Sequence, residues 1–328
     1  MYIPRTFAVA LLMMIVSAMC WGSWANTFKV TRGYRFELFY WDYILGVVGT
    51  ALILAFTLGS VHTDGTQFMA NIRSADVENI VCALIGGMIF NVANLLLVAA
   101  IDMVGLAIAF PIAIGIALVV GVIMSYLQQP KGSLLLLSVA VICAIAAVIF
   151  DGKAYRQLSR TQTPASRKGV IVCIVSGILM GLFAPFVARA LNKGNALTAY
   201  SIAVFFAFGA LLCCPLVNIF FMRRPLVGVP VRLRSYFSAG IRNHTLGVLG
   251  GGIWGLGMVF NFVAASLTGV AVSYAIGQTA PMVAAAWGIF VWKEFSGAGR
   301  AASIYLALMF AFFILAIVLV SQAYRMSS

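Results

Sequence analysis

The chain has 328 residues, of which 63% are hydrophobic and 9% charged, with a formal net charge of +13. Soluble domains carry charge on about a quarter of their residues, so this composition excludes a water-soluble fold and makes lipid the solvent. The basic residues are scattered over several short stretches, which argues against nucleic acid as a partner and for a topology signal reinforced by anionic lipid.

Uncharged apolar stretches long enough to cross a bilayer, about 20 residues each, fall at 6–28, 43–60, 79–101, 103–129, 132–150, 169–188, 195–222, 245–268, 269–292 and 301–324. They predict an all-α membrane protein of ten transmembrane helices. The first stretch lies close to Met1 behind a single Arg5, as a signal peptide would. Nine more spans, and its share in the repeat described below, predict that it is kept as the first helix. The third and fourth spans are joined only by Ile101, Asp102 and Met103, and the eighth and ninth only by 266–268, so each pair is an antiparallel hairpin. The fourth span carries Gly105, Ala109, Ala113, Ala117 and Gly121, and the ninth Gly269, Ser273, Gly277, Pro281 and Ala285. Such stripes of small residues let helices approach closely in lipid. All six cysteines (Cys20, Cys82, Cys143, Cys173, Cys213 and Cys214) lie inside predicted helices, as small packing residues rather than a disulfide set.

Two blocks of the first half return in order in the second. Ile15, Val16, Ser17, Ala18, Gly22 and Ala25 reappear 159 positions later as Ile174, Val175, Ser176, Gly177, Gly181 and Ala184. Gly86, Gly87, Ile89, Ala100, Gly105 and Ala107 reappear after 164 positions as Gly250, Gly251, Ile253, Ala264, Gly269 and Ala271. This is the mark of a duplicated bundle. Five spans per copy is an odd number, so the second copy is expected upside down relative to the first, an architecture of secondary transporters. The expected organisation is a first five-helix repeat over 1–150, a basic cytoplasmic linker with Pro164 over 151–168, and a second repeat over 169–328.

Lys and Arg accumulate in cytoplasmic loops. Fifteen of them follow odd-numbered spans: Lys29, Arg32, Arg35, Lys153, Arg156, Arg160, Arg167, Lys168, Arg223, Arg224, Arg232, Arg234, Arg242, Lys293 and Arg300. Only Arg5, Arg73, Lys131, Arg189, Lys193 and Arg325 lie on the other side. The expectation is a multi-pass protein of the cell membrane with both termini on the non-cytoplasmic side.

Polar side chains in hydrocarbon are costly unless they face a cavity or a partner helix. The candidates for a solute site near the midplane are Trp21, Trp24 and Asn26 in the first span, Asn91 and Asn94 in the third, Asn261 in the eighth, and Tyr274, Gln278 and Thr279 in the ninth. Asn91 with Asn94, and Tyr274 with Gln278, are spaced to share a helical face. Amides supply both donors and acceptors, and rings cover the flat face of a base, ureide or sugar. Structural alternatives stand beside this reading: an interhelical bond for either Asn91 or Asn94, plain packing for the two tryptophans, an interfacial position for Asn26. No charged residue occupies the centre of a predicted span, which disfavours charged solutes. A proton-coupling carboxyl is therefore sought nearer the edge, with Asp42 the first candidate and Glu37, Asp102, Asp151 and Glu294 behind it. The alternative for Asp42 is a surface pair with Lys29, Arg32 or Arg35.

Several motifs together resemble a known family. Cys20-Trp21-Gly22-Ser23-Trp24, Trp41-Asp42-Tyr43, Ala55-Phe56-Thr57-Leu58-Gly59, Gly86-Gly87 with Asn94-Leu95, Gly105-Leu106, Gln278-Thr279-Ala280-Pro281-Met282 and Trp287-Gly288-Ile289-Phe290 with Glu294 are similar to the ureide permease group. That group belongs to the drug/metabolite transporter (DMT) superfamily and is related to glucose/ribose and rhamnose porters. The resemblance covers essentially the whole chain. It implies ten helices in inverted halves and import of ureides, nucleobase-like compounds or monosaccharides, often with protons. Plant members carry a long central loop with a phosphate-loop-like motif; 151–168 is short and has no GxxxxGK pattern, so nucleotide regulation is not implied here.

The sequence thus predicts an importer of a small neutral polar metabolite working by alternating access, with an exporter of the same superfamily as the alternative. It calls for no cofactor, metal or catalytic residue. The partners to look for are the solute, protons, membrane lipid and a second copy of the chain. An intramembrane enzyme would need an HExxH motif or a Ser/His pair, and the two histidines, His62 and His244, fall at span ends. A channel would show a ring or filter of charges or carbonyls, and no such pattern is visible.

Overall fold

In a computed structural model, residues 1–31, 33–61, 66–158 and 166–326 are described. Arg32, His62, Arg160 and Pro164 lie outside the described residues. Ten helices among those described are long and apolar enough to cross a membrane, and no strand accompanies them. We label them α1 (Phe7–Val30), α2 (Phe36–Phe56), α3 (Val77–Val104), α4 (Leu106–Gln128), α5 (Leu134–Leu158), α6 (Arg167–Asn192), α7 (Ala199–Arg223), α8 (Ile241–Thr268), α9 (Val270–Val291) and α10 (Arg300–Arg325). All ten predicted spans are found. Lipid offers no partner for backbone N–H and C=O groups, and a helix satisfies them internally.

Two boundaries differ in an instructive way. The helix predicted to end at Phe150 continues to Leu158, so Asp151, Lys153 and Arg156 belong to α5 and not to a linker. A charge at a helix end does not stop the helix when it can reach water or a ring: Lys153 lies over the rings of Phe150 and Tyr305, at 5.6 and 5.8 Å. The hairpin links also shrink, each to one glycine. Gly105 between α3 and α4 and Gly269 between α8 and α9 have φ of 77° and 84°, a conformation side chains disfavour and glycine adopts freely. These two glycines are repeat partners, 164 positions apart.

Helix packing follows the same correspondence. α3 packs on α6 and α7, and its counterpart α8 on α1 and α2; α4 packs on α6, and α9 on α1; α2 meets α7, and α5 meets α10. Backbones approach one another at several crossings, most closely at two. A Cβ on Gly87 of α3 would collide with the Phe206 carbonyl oxygen of α7, and one on Gly209 of α7 with the Leu84 carbonyl of α3. In the other half, Gly251 of α8 abuts the Tyr43 carbonyl of α2, and Gly46 of α2 the Val248 carbonyl of α8.

The loops sort into two ends. At one, Phe7 stacks on Tyr324 with centroids 4.9 Å apart, Asn79 Nδ2 donates to the Lys193 carbonyl at 2.7 Å, and Lys131 Nζ to the Leu267 carbonyl at 3.2 Å. Both chain termini therefore share this end. At the opposite end, Arg35 Nη1 donates to the Val229 carbonyl at 3.0 Å and Asn218 Nδ2 to the Glu37 carbonyl at 2.8 Å. The six cysteines are unpaired thiols.

Placing a branched side chain at a backbone crossing must push two helices apart, and overpacking costs about 1–3 kcal/mol. Gly251→Val is expected to lower the thermal unfolding midpoint of detergent-purified protein clearly. Gly49→Ala, where an added Cβ meets nothing within 4 Å, is expected to leave it unchanged.

Candidate functional site

A cavity of about 660 Å³ lies among α1, α3, α4, α5, α6, α8 and α9. Ligand pockets for small molecules run from about 300 to 1,000 Å³, so the space suits a metabolite. Its buried end is formed near the middle of the helices by Phe90, Asn94, Ile114, Met180, Phe183, Trp254 and Gln278. Its open end carries Asn26, Lys29, Asp102, Trp292 and Glu294, at the membrane end opposite the termini.

The polar feature of the buried end comes from a broken helix. α9 consists of Val270–Gly277, a break at Gln278 and Thr279, Ala280–Ala286, and a wide turn over Trp287–Val291. Pro281 lacks the N–H that the Gly277 carbonyl, four residues earlier, would accept in a continuous helix. Discontinuous helices near mid-membrane commonly mark transporter binding sites. Gln278 lines the cavity at this break, 9% exposed, and its side-chain amide has no hydrogen-bond partner among the described residues. Asn94, also on the cavity wall, is 5% exposed with its Nδ2 unpaired.

Aromatic rings form the remaining wall. Trp254 stacks on Phe90 with centroids 4.3 Å apart and on Trp21 at 5.9 Å, and the Trp21 indole donates to the Trp254 carbonyl at 3.3 Å. Trp24 packs on Tyr43. Trp254 was not among the predicted residues, although it occupies the repeat position of Phe90.

The predicted residues therefore divide. Trp21, Trp24, Asn26, Asn94 and Gln278 line the cavity. Four others belong to helix contacts behind it. Asn91 is fully buried, with neither amide atom hydrogen-bonded. Asn261 Nδ2 donates to the Ser273 carbonyl at 2.9 Å, tying α8 to α9. The Tyr274 hydroxyl donates to the Met180 carbonyl at 3.1 Å, with its ring seated against Gly121. Thr279 Oγ1 donates to the Ile276 carbonyl at 2.7 Å, within the break itself.

Three contacts clasp α1 to the end of α9 at the cavity mouth. Trp287 Nε1 donates to Ser23 Oγ at 2.8 Å and Trp292 Nε1 to Asn26 Oδ1 at 2.5 Å. Lys29 pairs with Glu294 and lies 4.4 Å from the Trp292 ring centroid. α1 is itself interrupted here, between Ser23 and Ala25.

Asp42 stands apart from the cavity. It is not the surface partner of Lys29 or Arg35 that its place near a span end suggested: it is 4% exposed, accepting from the Tyr236 hydroxyl at 2.7 Å and lying 2.8 Å from His244 Nδ1. Burial and this bond to Asp42 push the Tyr236 phenol up. Tyr34, on the loop before α2, is pushed up to about 12 by burial and by the charge of Asp42. Hydrogen bonding to Glu37 raises Arg35 on the same loop.

A ten-span helical protein enclosing a half-open, metabolite-sized cavity is a membrane transporter. The chain belongs to the ureide permease family, whose model matches residues 39–163 and 160–323, a family of permeases rather than catalysts. It is 23% identical to ureide permease 1 of Arabidopsis thaliana over 97% of both chains. It is 22% identical to ureide permease 4 of the same plant, over 99% of this chain and 100% of that one. A solved protein crystal structure shares the fold with a TM-score of 0.64 at 15% identity, covering 98% of this chain and 99% of the other.

Cysteines introduced singly into a variant without native thiols test the cavity wall. Asn94→Cys and Gln278→Cys are expected to react with a membrane-impermeant thiol reagent applied from the open end. Asn91→Cys and Asn261→Cys are expected to stay unlabelled, as read by mass shift.

Proposed function

We propose that the protein imports a small neutral polar metabolite, a ureide, nucleobase, nucleoside or pentose, by alternating access. The observation that carries this reading is the Gln278 amide at the α9 break, which lines one cavity with the unpaired Asn94 Nδ2 and with Trp21, Phe90 and Trp254. Two amides offer donors and acceptors to a flat, hydrogen-bonding solute, and the rings stack on its face. The charged residues of the cavity wall are Lys29, Asp102, Asp151 and Glu294. None of them is basic at the buried end, which fits a neutral solute better than an anion. The relatives' name supports ureides within this range.

The halves are read as 1–150 and 169–328, inverted about an axis through the cavity. Support comes from the exchange of partners between halves and from the matched glycine crossings. It also comes from the cavity wall, where Phe90 and Trp254, Ile114 and Gln278, Trp21 and Met180, and Trp24 and Phe183 are repeat partners. The excess of Lys and Arg in the loops at the open end supports reading that end as cytoplasmic, and with it an inward-open carrier with both termini outside. Proton coupling belongs to the proposal, and the carboxyl that serves it should touch the cavity, as Asp42 does not.

Uptake of labelled allantoin, ribose and uridine into proteoliposomes tests the reading. At least one is expected to saturate. Losing one hydrogen bond costs about 1 kcal/mol, about fivefold in affinity, so Gln278→Ala and Asn94→Ala should each weaken uptake by at least that much. Unchanged uptake in both variants, or resistance to toxic compounds without uptake, would count against it. A reporter active only outside the cytoplasm is expected to work when fused to the C-terminus.

A further inference from the structure

Of the three carboxyl groups on the described cavity wall, Asp102 and Glu294 stand at the open end and Asp151 is almost fully buried. Asp151 of α5 is 2% exposed, lines the cavity, and its Oδ1 has no hydrogen-bond partner among the described residues. No described basic side chain pairs with it. Among the titratable and charged groups around it, α5 itself presents Lys153, turned to the Phe150 and Tyr305 rings, and Tyr155, one turn on. α10 presents Tyr305, α9 Glu294, α1 Lys29, and the end of α3 Asp102; α4 presents no ionisable residue on this half. Among the described residues of the cavity wall Lys29 is the only cation, and it is engaged by Glu294.

An unpaired carboxylate in such a place is costly, and the cost is removed by a proton or a ligand that donates to it. A route for the proton is visible. Tyr155 sits on the same helical face as Asp151, four residues along. Its hydroxyl donates to Glu294 Oε2 at 3.5 Å, and Glu294 and Lys29 stand at the open end of the cavity.

We propose that Asp151 is the residue that takes up and releases the coupled proton. Facing outward, its carboxylate accepts a proton and becomes the neutral acid; facing inward, the acid returns the proton to water through the open end. The net charge that moves with the neutral solute is then one proton per cycle. This inference rests on the importer reading above, and it locates coupling on α5 rather than at Asp42.

Two measurements on purified protein in liposomes test it. Infrared difference spectra between acid and alkaline pH read the carboxylic C=O stretch without any solute. One component of the titrating band is expected to be present in the unmodified protein and in Asp42→Asn, lost in Asp151→Asn and displaced in Asp151→Glu. The second measurement compares labelled allantoin, ribose and uridine under exchange and under a pH gradient. One pH unit supports about tenfold accumulation at one proton per solute. Asp151→Asn is expected to exchange solute yet lose that accumulation, and Asp151→Glu to keep it with a displaced pH profile. Gradient-driven accumulation in Asp151→Asn, accumulation driven by sodium instead, or an unchanged infrared band in that variant would overturn the assignment. Absence of transport of every probe by the unmodified protein would overturn the importer reading, and the infrared result would still decide whether Asp151 titrates.

Discussion

Direct backbone contact between helices is the constraint on which the rest of this structure depends. In lipid no hydrophobic exclusion pushes helices together, so association relies on dispersion at short range. Glycines let the carbonyl ridge of one helix enter the groove of the next. Gly87 and Gly209 do so between α3 and α7, and Gly46 and Gly251 between α2 and α8. These four helices form two tight crossed pairs that stand on either side of the Phe90–Trp254 stack. α1 and α9 meet closely as well, a Cβ on Gly22 falling 2.5 Å from the Ala280 carbonyl oxygen, and both border the cavity.

Regular helix is interrupted where the chain borders the cavity. α9 breaks at Gln278 and α1 at Trp24, and both breaks border the cavity. Breaking a helix in a membrane leaves polar backbone and side-chain groups short of partners, tolerated where a cavity or neighbour satisfies them. The clasp of Ser23, Asn26 and Lys29 onto Trp287, Trp292 and Glu294 joins the two interrupted helices into one unit at the open end.

Hydropathy made all ten spans legible, because lipid enforces long apolar helices, and the duplicated glycines announced both the hairpin turns and the tight crossings. The site was only partly legible. Tyr274 and Gln278 are four residues apart on an unbroken turn, the Gln278 N–H donating to the Tyr274 carbonyl at 2.9 Å, yet the Tyr274 hydroxyl reaches the carbonyls of Ala117 on α4 and Met180 on α6, a reach that residue spacing does not reveal. Asn91, rotated from Asn94 around α3, is buried behind the cavity. Asp151 was set in a linker because the predicted span stopped at its first charge, whereas α5 carries it on for two further turns. Trp254 could have been found by asking what faces Phe90 in the repeat. The Asp42–His244 pair joins residues 202 positions apart, a distance over which no local pattern speaks.

The central claim is that the solute is held at the α9 break between the two halves. The most direct test is a structure of the protein with a transported solute bound. The account predicts density at the buried end of the cavity, its polar atoms within hydrogen-bond distance of the Gln278 and Asn94 amides and its flat face against Trp21 or Trp254. Density elsewhere, with the space between Gln278 and Asn94 empty at saturating solute, would contradict it.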